Sequence, residues 1–103
     1  MNLLETASRY FICTQDNFKV DGNQVNFSLQ TVRYRVVICG SNDIYRGLVT
    51  IDKQIVYLVS TESRMDFNAV CILVYAYLKS LHESIESGLV ISNNCAICVN
   101  RDV

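Results

Sequence analysis

The chain has 103 residues, of which half are apolar and 18% are charged, and its formal net charge is −1. This length predicts one domain covering residues 1–103, and the apolar content supports a hydrophobic core, which excludes a disordered chain. Proteins that hold nucleic acid through its phosphates usually carry a clear excess of basic residues. The near-neutral charge therefore argues against general nucleic-acid binding and leaves a local basic patch as the alternative.

Cysteine usage and apolar runs predict the compartment. Five cysteines cannot all pair within one chain, and Glu5 and Arg9 stand where a signal peptide needs an apolar segment. Both features favour a reducing, intracellular location, either the cytoplasm alone or the cytoplasm and the nucleus. The longest apolar run, Ala69–Leu78, has ten residues, whereas a membrane-spanning helix needs about 20. We therefore expect no transmembrane segment and no membrane partner.

The first predicted element is a short helix over residues 2–12. Asn2 can cap it, and Glu5 follows at the spacing of a capping box. Its apolar side chains recur at helical intervals.

A run of strands follows the turn signal at Asp21–Asn23. Apolar and polar residues alternate in Gln24–Gln30, which is typical of a half-buried strand. The alternation continues in Val32–Cys39 but is shifted by one residue, which predicts a turn or bulge near Gln30 and Thr31. We expect a loop at residues 40–43 and a tight turn at residues 52–53. These separate two further strands, Ile44–Ile51 and Gln54–Ser60.

Residues 64–87 change to helical periodicity. One apolar face is continuous, Ser63 and Asp66 match the capping spacing, and Gly88 is a natural stop. Tyr75 and Tyr77 lie off that face, so the first half of the helix is apolar nearly all round. We expect such a helix to be buried on two sides, and in so short a chain the second side is a candidate partner surface. The predicted apolar face consists of Phe67, Val70, Cys71, Val74, Leu78, Leu81 and Ile85.

The chain ends in a predicted hairpin. Leu89–Ile91 and Cys95–Val99 flank Asn93-Asn94, a plausible two-residue turn. Both strands are almost wholly apolar, so we expect partner contacts from Leu89, Ile91, Ala96 and Cys98.

No residue pattern indicates catalysis, and we expect neither a cofactor nor a metal. The single histidine, His82, has no partner that would make it a general base. Cys95 and Cys98 form a C-x-x-C, but Ala-Ile between them favours a strand, in which the two thiols point to opposite faces. We interpret them as buried structural thiols and the protein as not an enzyme.

Arg33 and Arg35 project from one face of a strand and could contact RNA. Together with Arg46 and Lys53 they are the candidate RNA-contact residues. The alternative is a solvated sheet face with no ligand.

The stretch Val36–Ser60 resembles the first motif of the Sm and Sm-like (LSm) proteins. The matching residues are Tyr45, Arg46, Gly47, Leu48, Asp52 and Ile55. Gly47 would let a long strand bend sharply, as a small barrel requires. The segment 90–98 is similar in shape to the second motif. The resemblance implies an α+β fold: a small, strongly bent antiparallel β-barrel with an N-terminal helix and a long helix inserted before the last hairpin.

This sequence departs from the RNA-binding members of that family. Val56 and Ile91 stand where those proteins have the asparagine and arginine that contact a base. One residue is also missing between Gly47 and Asp52, and the long helix falls where the family has a variable loop. The resemblance is closest in type to the Sm-fold Gemin subunits of the survival-of-motor-neuron complex, which do not bind RNA through these residues.

The resemblance therefore implies a non-catalytic scaffold or adaptor that pairs through strand edges with another Sm-fold subunit or with itself. Its expected setting is small nuclear ribonucleoprotein (snRNP) assembly for mRNA splicing. Two alternatives stay open: an Sm-like RNA-binding protein that uses the basic residues named above, and a small inhibitor or immunity-type protein that binds a protein target.

Overall fold

A computed structural model of the chain describes residues 2–59 and 64–86, with side chains described as far as Leu81. Two helices, a single turn of 3-10 helix and five strands make up the described part. They are α1 (Leu3–Ser8), the 3-10 turn (Gln15–Asn17), β1 (Phe18–Asp21), β2 (Gln24–Gln30), β3 (Arg35–Ser41), β4 (Ile44–Ile51), β5 (Gln54–Val59) and α2 (Phe67–Glu86).

The strands form one antiparallel sheet in the order β1-β2-β3-β4-β5, so each strand pairs with its neighbour in sequence. This confirms the predicted α+β class with an N-terminal helix, an antiparallel sheet and a later helix. Strand β1 was not predicted, because it is only four residues long and two of them are charged. β1 and β5 lie at opposite ends of the strand order. The sheet is therefore open in the described part, which does not show closure into a barrel.

The helix predicted at residues 2–12 is shorter than expected. The Asn2 side chain caps it as predicted, since Asn2 Oδ1 accepts from the Leu4 backbone N–H at 2.9 Å. The helix ends at Ser8, and the chain turns so that Phe11 becomes fully buried. The apolar residues after Ser8 therefore pack into the core from a turn rather than from a helix.

A turn between β2 and β3 causes the predicted change of phase. Thr31 Oγ1 accepts from the backbone N–H groups of Arg33 (3.2 Å) and Tyr34 (3.0 Å), which closes residues 31–34 into a compact loop. As a result β3 begins at Arg35, three residues later than predicted. The alternation predicted over Val32–Cys39 implies that Val32 is buried with Tyr34 and Val36, and this is wrong, because Val32 is 71% exposed in the loop.

Two tight hairpins connect β3 to β4 and β4 to β5. Their central residues are Asn42-Asp43 and Asp52-Lys53, and all four have positive φ, between 49° and 66°. Positive φ at both central residues is the hallmark of the type I′ turn that matches sheet twist. The turn at residues 52–53 was predicted. The loop predicted at residues 40–43 is wrong in extent, because Gly40 and Ser41 still pair with β4.

Helix α2 begins at Phe67, three residues after the predicted start. Asp66 caps it, because its Oδ1 accepts from the Ala69 backbone N–H at 2.7 Å, whereas Ser63 lies outside the described residues. Immediately before the helix, the Met65 carbonyl accepts from the Tyr45 backbone N–H at 3.0 Å. This contact fixes the beginning of α2 against the beginning of β4.

The core lies between α2 and one face of the sheet. Residues 67, 70, 71, 74 and 78 of the predicted helix face are buried, and Leu81 is packed against the core. Ile85 falls among the side chains that are not described. Gly47 lies where α2 packs closely on the sheet, since a Cβ there would lie 2.8 Å from Val70 Cγ1. In the described part, no helix is long and apolar enough to cross a membrane.

Candidate functional site

The face of the sheet that points away from α2, called the outer face below, has no second layer packed on it in the described part. The core face carries Val25, Phe27 and Leu29 of β2, which are buried. Their neighbours along the strand point to the outer face and are mostly exposed, as strand alternation requires. The outer face is therefore the accessible side of the sheet.

Among the described residues, strand β5 lies at an edge of the sheet and has an exposed apolar surface. Ile55, Val56 and Leu58 are 61%, 41% and 55% exposed, although the strand reads Gln-Ile-Val-Tyr-Leu-Val without a charge. Such a continuous apolar run is typical of a strand covered on both sides. At the other edge, β1 carries Lys19 and Asp21, the kind of charged side chain that prevents edge-to-edge pairing. Only one of the two described edges is therefore protected by charge.

The strand register extends this apolar surface into the middle of the sheet. Leu58 lies opposite Leu48, which lies opposite Val37, and directly opposed residues share a face. Ile55 lies opposite Thr50 on the same face, because the register shifts between Val49 and Thr50. The term outer patch is used below for the residues Val37, Leu48, Ile55 and Leu58.

The two arginines at the ends of the outer patch both come from the predicted RNA-contact set. Arg35 lies opposite Thr50, and Arg46 lies opposite Cys39, one row of the sheet beyond Leu48. Both are exposed. The outer patch is therefore an apolar stripe with a cationic group at each end.

A hollow of about 460 Å³ opens beside the outer patch, where the loop 31–34 meets the β4–β5 turn. Three of the four predicted RNA-contact residues line it: Arg33, Arg35 and Lys53. Asp52 contributes a carboxylate to the same rim. The structure thus brings these three basic residues together and places Arg46 elsewhere. The other residues that line the hollow are Gln30, Val32, Tyr34 and Thr50.

The two predicted partner-binding tyrosines of α2 lie on different sides of that helix. The Tyr75 ring packs at 5.6 Å from the ring of Tyr10, whose hydroxyl donates to Asn68 Oδ1 at 3.0 Å. The Tyr77 ring stacks on Tyr57 of β5, with 4.5 Å between centroids and 7° between planes. Both tyrosines are half-buried. Much of the second side of α2 is therefore covered from within the chain, and partner contact by these residues stays a prediction.

The other four predicted partner residues, Leu89, Ile91, Ala96 and Cys98, lie outside the described residues. The same holds for the C-x-x-C at Cys95 and for the predicted final hairpin.

Burial keeps the thiols of the core protonated. The pKa of the fully buried Cys71 is raised to about 12, mainly by burial and to a smaller extent by the nearby Cys13 and Asp66. Burial also raises the pKa of Cys13, against a smaller opposite effect of a hydrogen bond with Ser8. A thiol with a raised pKa is a poor nucleophile at neutral pH. Among the described residues, no three histidine, cysteine or acidic side chains come together as metal ligands.

The exposure of β5 is the feature that sequence reasoning missed. The available signal was the contrast between a run with no charge at residues 54–59 and the charged residues of β1. The bulge between Val49 and Thr50, which turns Ile55 to the outer face, has no sequence signal of its own.

Comparisons with protein-family models, with curated proteins and with solved structures found no match to this chain. They therefore identify no family, and the Sm resemblance stays a prediction. The candidate site rests on the geometry described above.

Proposed function

We propose that the protein is a non-catalytic binding subunit that captures an extended segment of another protein at β5. The observation that carries this proposal is the uncharged edge strand with Ile55, Val56 and Leu58 exposed. An edge strand presents unpaired backbone N–H and C=O groups, which an added strand satisfies. Exposed apolar side chains on the same strand add burial to those hydrogen bonds.

The surroundings of β5 suggest the chemistry of the bound segment. Its apolar side chains would pack beside Ile55 and Leu58, and an acidic side chain at one end would pair with Arg46 of the neighbouring strand β4. A second copy of this chain would offer an uncharged β5, which leaves Arg46 without an acidic partner. We therefore commit to a different protein that carries an extended apolar segment with acidic residues at one end.

A six-residue strand limits the strength of this binding. One added strand buries less surface than the roughly 1,200–2,000 Å² of a stable protein–protein interface. We expect reversible capture, with specificity from side-chain pockets and register rather than from area.

The Sm resemblance gives a narrower form of the proposal, in which the partner is another Sm-fold subunit in ribonucleoprotein assembly. In its support, Tyr45 and Gly47 lie in β4, Asp52 in a tight turn and Ile55 in β5, the strand–turn–strand order of the family's first motif. That form also implies a location in the cytoplasm or the nucleus.

The test is selection of short peptides from a random display library on the intact protein, followed by mapping of the bound site by NMR. We expect enriched sequences to alternate apolar residues and to carry acidic residues, and the largest amide shifts to fall on residues 54–59. Leu58→Lys should weaken binding of the selected peptides at least about tenfold, because a charge would have to be desolvated at the interface.

Val20→Lys is the matched control. Val20 is exposed on the opposite edge strand, so the same change of side chain there should leave peptide binding unchanged. Equal loss in both variants, or shifts confined to α2, would contradict the proposal. A dimer in light scattering that Leu58→Lys dissociates would replace the foreign partner with a second copy.

A further inference from the structure

We propose that the hollow lined by Arg33, Arg35 and Lys53 binds a phosphate-bearing small molecule of about the size of a mononucleotide. The hollow has a volume of about 460 Å³ and is open to solvent on one side, so a ligand there would be held at the surface. Three cationic side chains line it, and Asp52 contributes a carboxylate to the same lining. The site is separate from strand addition at β5 and does not depend on it.

The guanidinium of Arg35 is already oriented. Its Nε and Nη2 donate to Ser28 Oγ at 3.4 and 3.3 Å, which holds the planar group over the outer face. A guanidinium has five N–H donors in a fixed fork, so donors remain for a second acceptor. Phosphate matches the bidentate geometry of a guanidinium, and the long, exposed contacts with Ser28 are ones that a charged ligand can replace.

The lysine in the β4–β5 turn is not explained by the turn itself. Lys53 has φ of 66°, a left-handed conformation that glycine or asparagine adopts at lower cost. The β3–β4 turn has the same geometry with Asp43 at the equivalent position. A type I′ turn in this sheet therefore does not need a lysine, whereas a cationic hollow does.

The distribution of charge favours a compact anion over a polynucleotide. Single-stranded nucleic acid is held by a basic groove that follows its backbone, with aromatic rings on which bases stack. Here the fourth basic residue, Arg46, is four residues along β4 from Thr50, a distance of about 13 Å. Leu48 lies between them on the same face. The three clustered cations fit one phosphate group better than they fit a chain of phosphates.

The carboxylate of Asp52 suits the part of such a ligand that lies beyond the phosphate group. A carboxylate at the rim accepts hydrogen bonds from hydroxyl or amino groups and repels a second phosphate. The exposed side chain of Val32 offers an apolar contact on the loop side of the hollow. The ligand class is therefore a phosphate monoester with hydroxyl groups nearby, of which a nucleoside 5′-monophosphate is the probe.

The test is calorimetric titration at low salt with adenosine 5′-monophosphate, uridine 5′-monophosphate, inorganic phosphate, adenosine and oligouridine. We expect both monophosphates to bind, inorganic phosphate to compete with them, and adenosine without its phosphate not to bind. Binding should weaken as salt is added, because the attraction is electrostatic and accessible to ions.

Lys53→Gly is the decisive variant, because it removes the charge while favouring the positive φ of the turn. We expect it to fold at least as stably as the wild type and to bind the monophosphates about tenfold more weakly. Asp43→Gly makes the equivalent backbone change at the other hairpin and should leave affinity unchanged. Arg33→Gln and Arg35→Gln should each also weaken binding.

Three results would overturn the inference. Equal affinity for adenosine and its monophosphate would remove phosphate as the recognised group. Unchanged affinity in Lys53→Gly would place the ligand elsewhere. Oligouridine that binds far more tightly than the monomers and loses affinity in Arg46→Gln would replace the compact anion with RNA.

Discussion

Substitution of Gly47 by alanine tests how closely α2 lies against the sheet. A Cβ at this position would be 2.8 Å from Val70 Cγ1 and 3.3 Å from Val74 Cγ2, and both valines are fully buried. Carbon atoms in ordinary contact are about 3.5–4.0 Å apart. Val70 must therefore give way by about 0.7 Å or more, either by moving α2 or by leaving its preferred rotamer.

We expect Gly47→Ala to lower the free energy of unfolding by about 1–3 kcal/mol, the usual cost of overpacking a core. In a domain of this length each kcal/mol corresponds to a fall in Tm of roughly 4–8 °C. Urea unfolding followed by far-ultraviolet circular dichroism measures the change. An unaltered slope of the unfolding free energy against urea concentration would show that the variant and the wild type expose the same amount of surface when they unfold.

Val70→Ala provides the internal control. Alone it should destabilise the protein, because it leaves a cavity between α2 and β4. In the Val70→Ala background the added methyl at Gly47 has room, and alanine loses less backbone freedom on folding than glycine. Gly47→Ala should then be neutral or stabilising, with a coupling energy of at least about 1 kcal/mol. Equal costs in the two backgrounds would refute the proposed contact.

Three further predictions follow from single positions. Gly40 has φ of 150°, and a Cβ there would clash with the Ile44 carbonyl oxygen, so Gly40→Ala should lower the free energy of unfolding by at least about 3 kcal/mol or abolish cooperative urea unfolding. Tyr10→Phe removes the hydrogen bond to Asn68 and should cost about 0.5–1.5 kcal/mol in the same assay, with little further loss on adding Asn68→Ala. The folded-state pKa of Cys71 is raised from the ordinary 9.0 of a thiol to about 12, so this contribution to stability should be complete below pH 9 and decline as the pH rises towards 12. Cys71→Val should remove a slope of up to about 1.4 kcal/mol per pH unit from the free energy of unfolding.

Local patterns predicted the parts of the fold that depend on neighbours in sequence. The alternation of Gln24–Gln30 and the turn-bounded run Ile44–Ile51 match β2 and β4 at both ends. The predicted apolar face of α2 was confirmed for residues 67, 70, 71, 74 and 78, which are buried. Helical periodicity identifies this face directly, because residues three and four positions apart lie on the same side of a helix. The phase shift after Gln30 correctly required a turn, since one straight strand cannot change its buried face.

The parts that sequence could not predict depend on contacts between distant residues. Whether the apolar run at residues 54–59 lies at the centre or the edge of a sheet is decided by strand order, which periodicity does not encode. Val32 looked buried because the alternation passes through it. Instead, Thr31 Oγ1 accepts from the backbone N–H groups of Arg33 and Tyr34 and donates to the Tyr34 carbonyl, which closes a loop there. The hollow joins that loop to the β4–β5 turn, so only the folded sheet brings Lys53 beside Arg33.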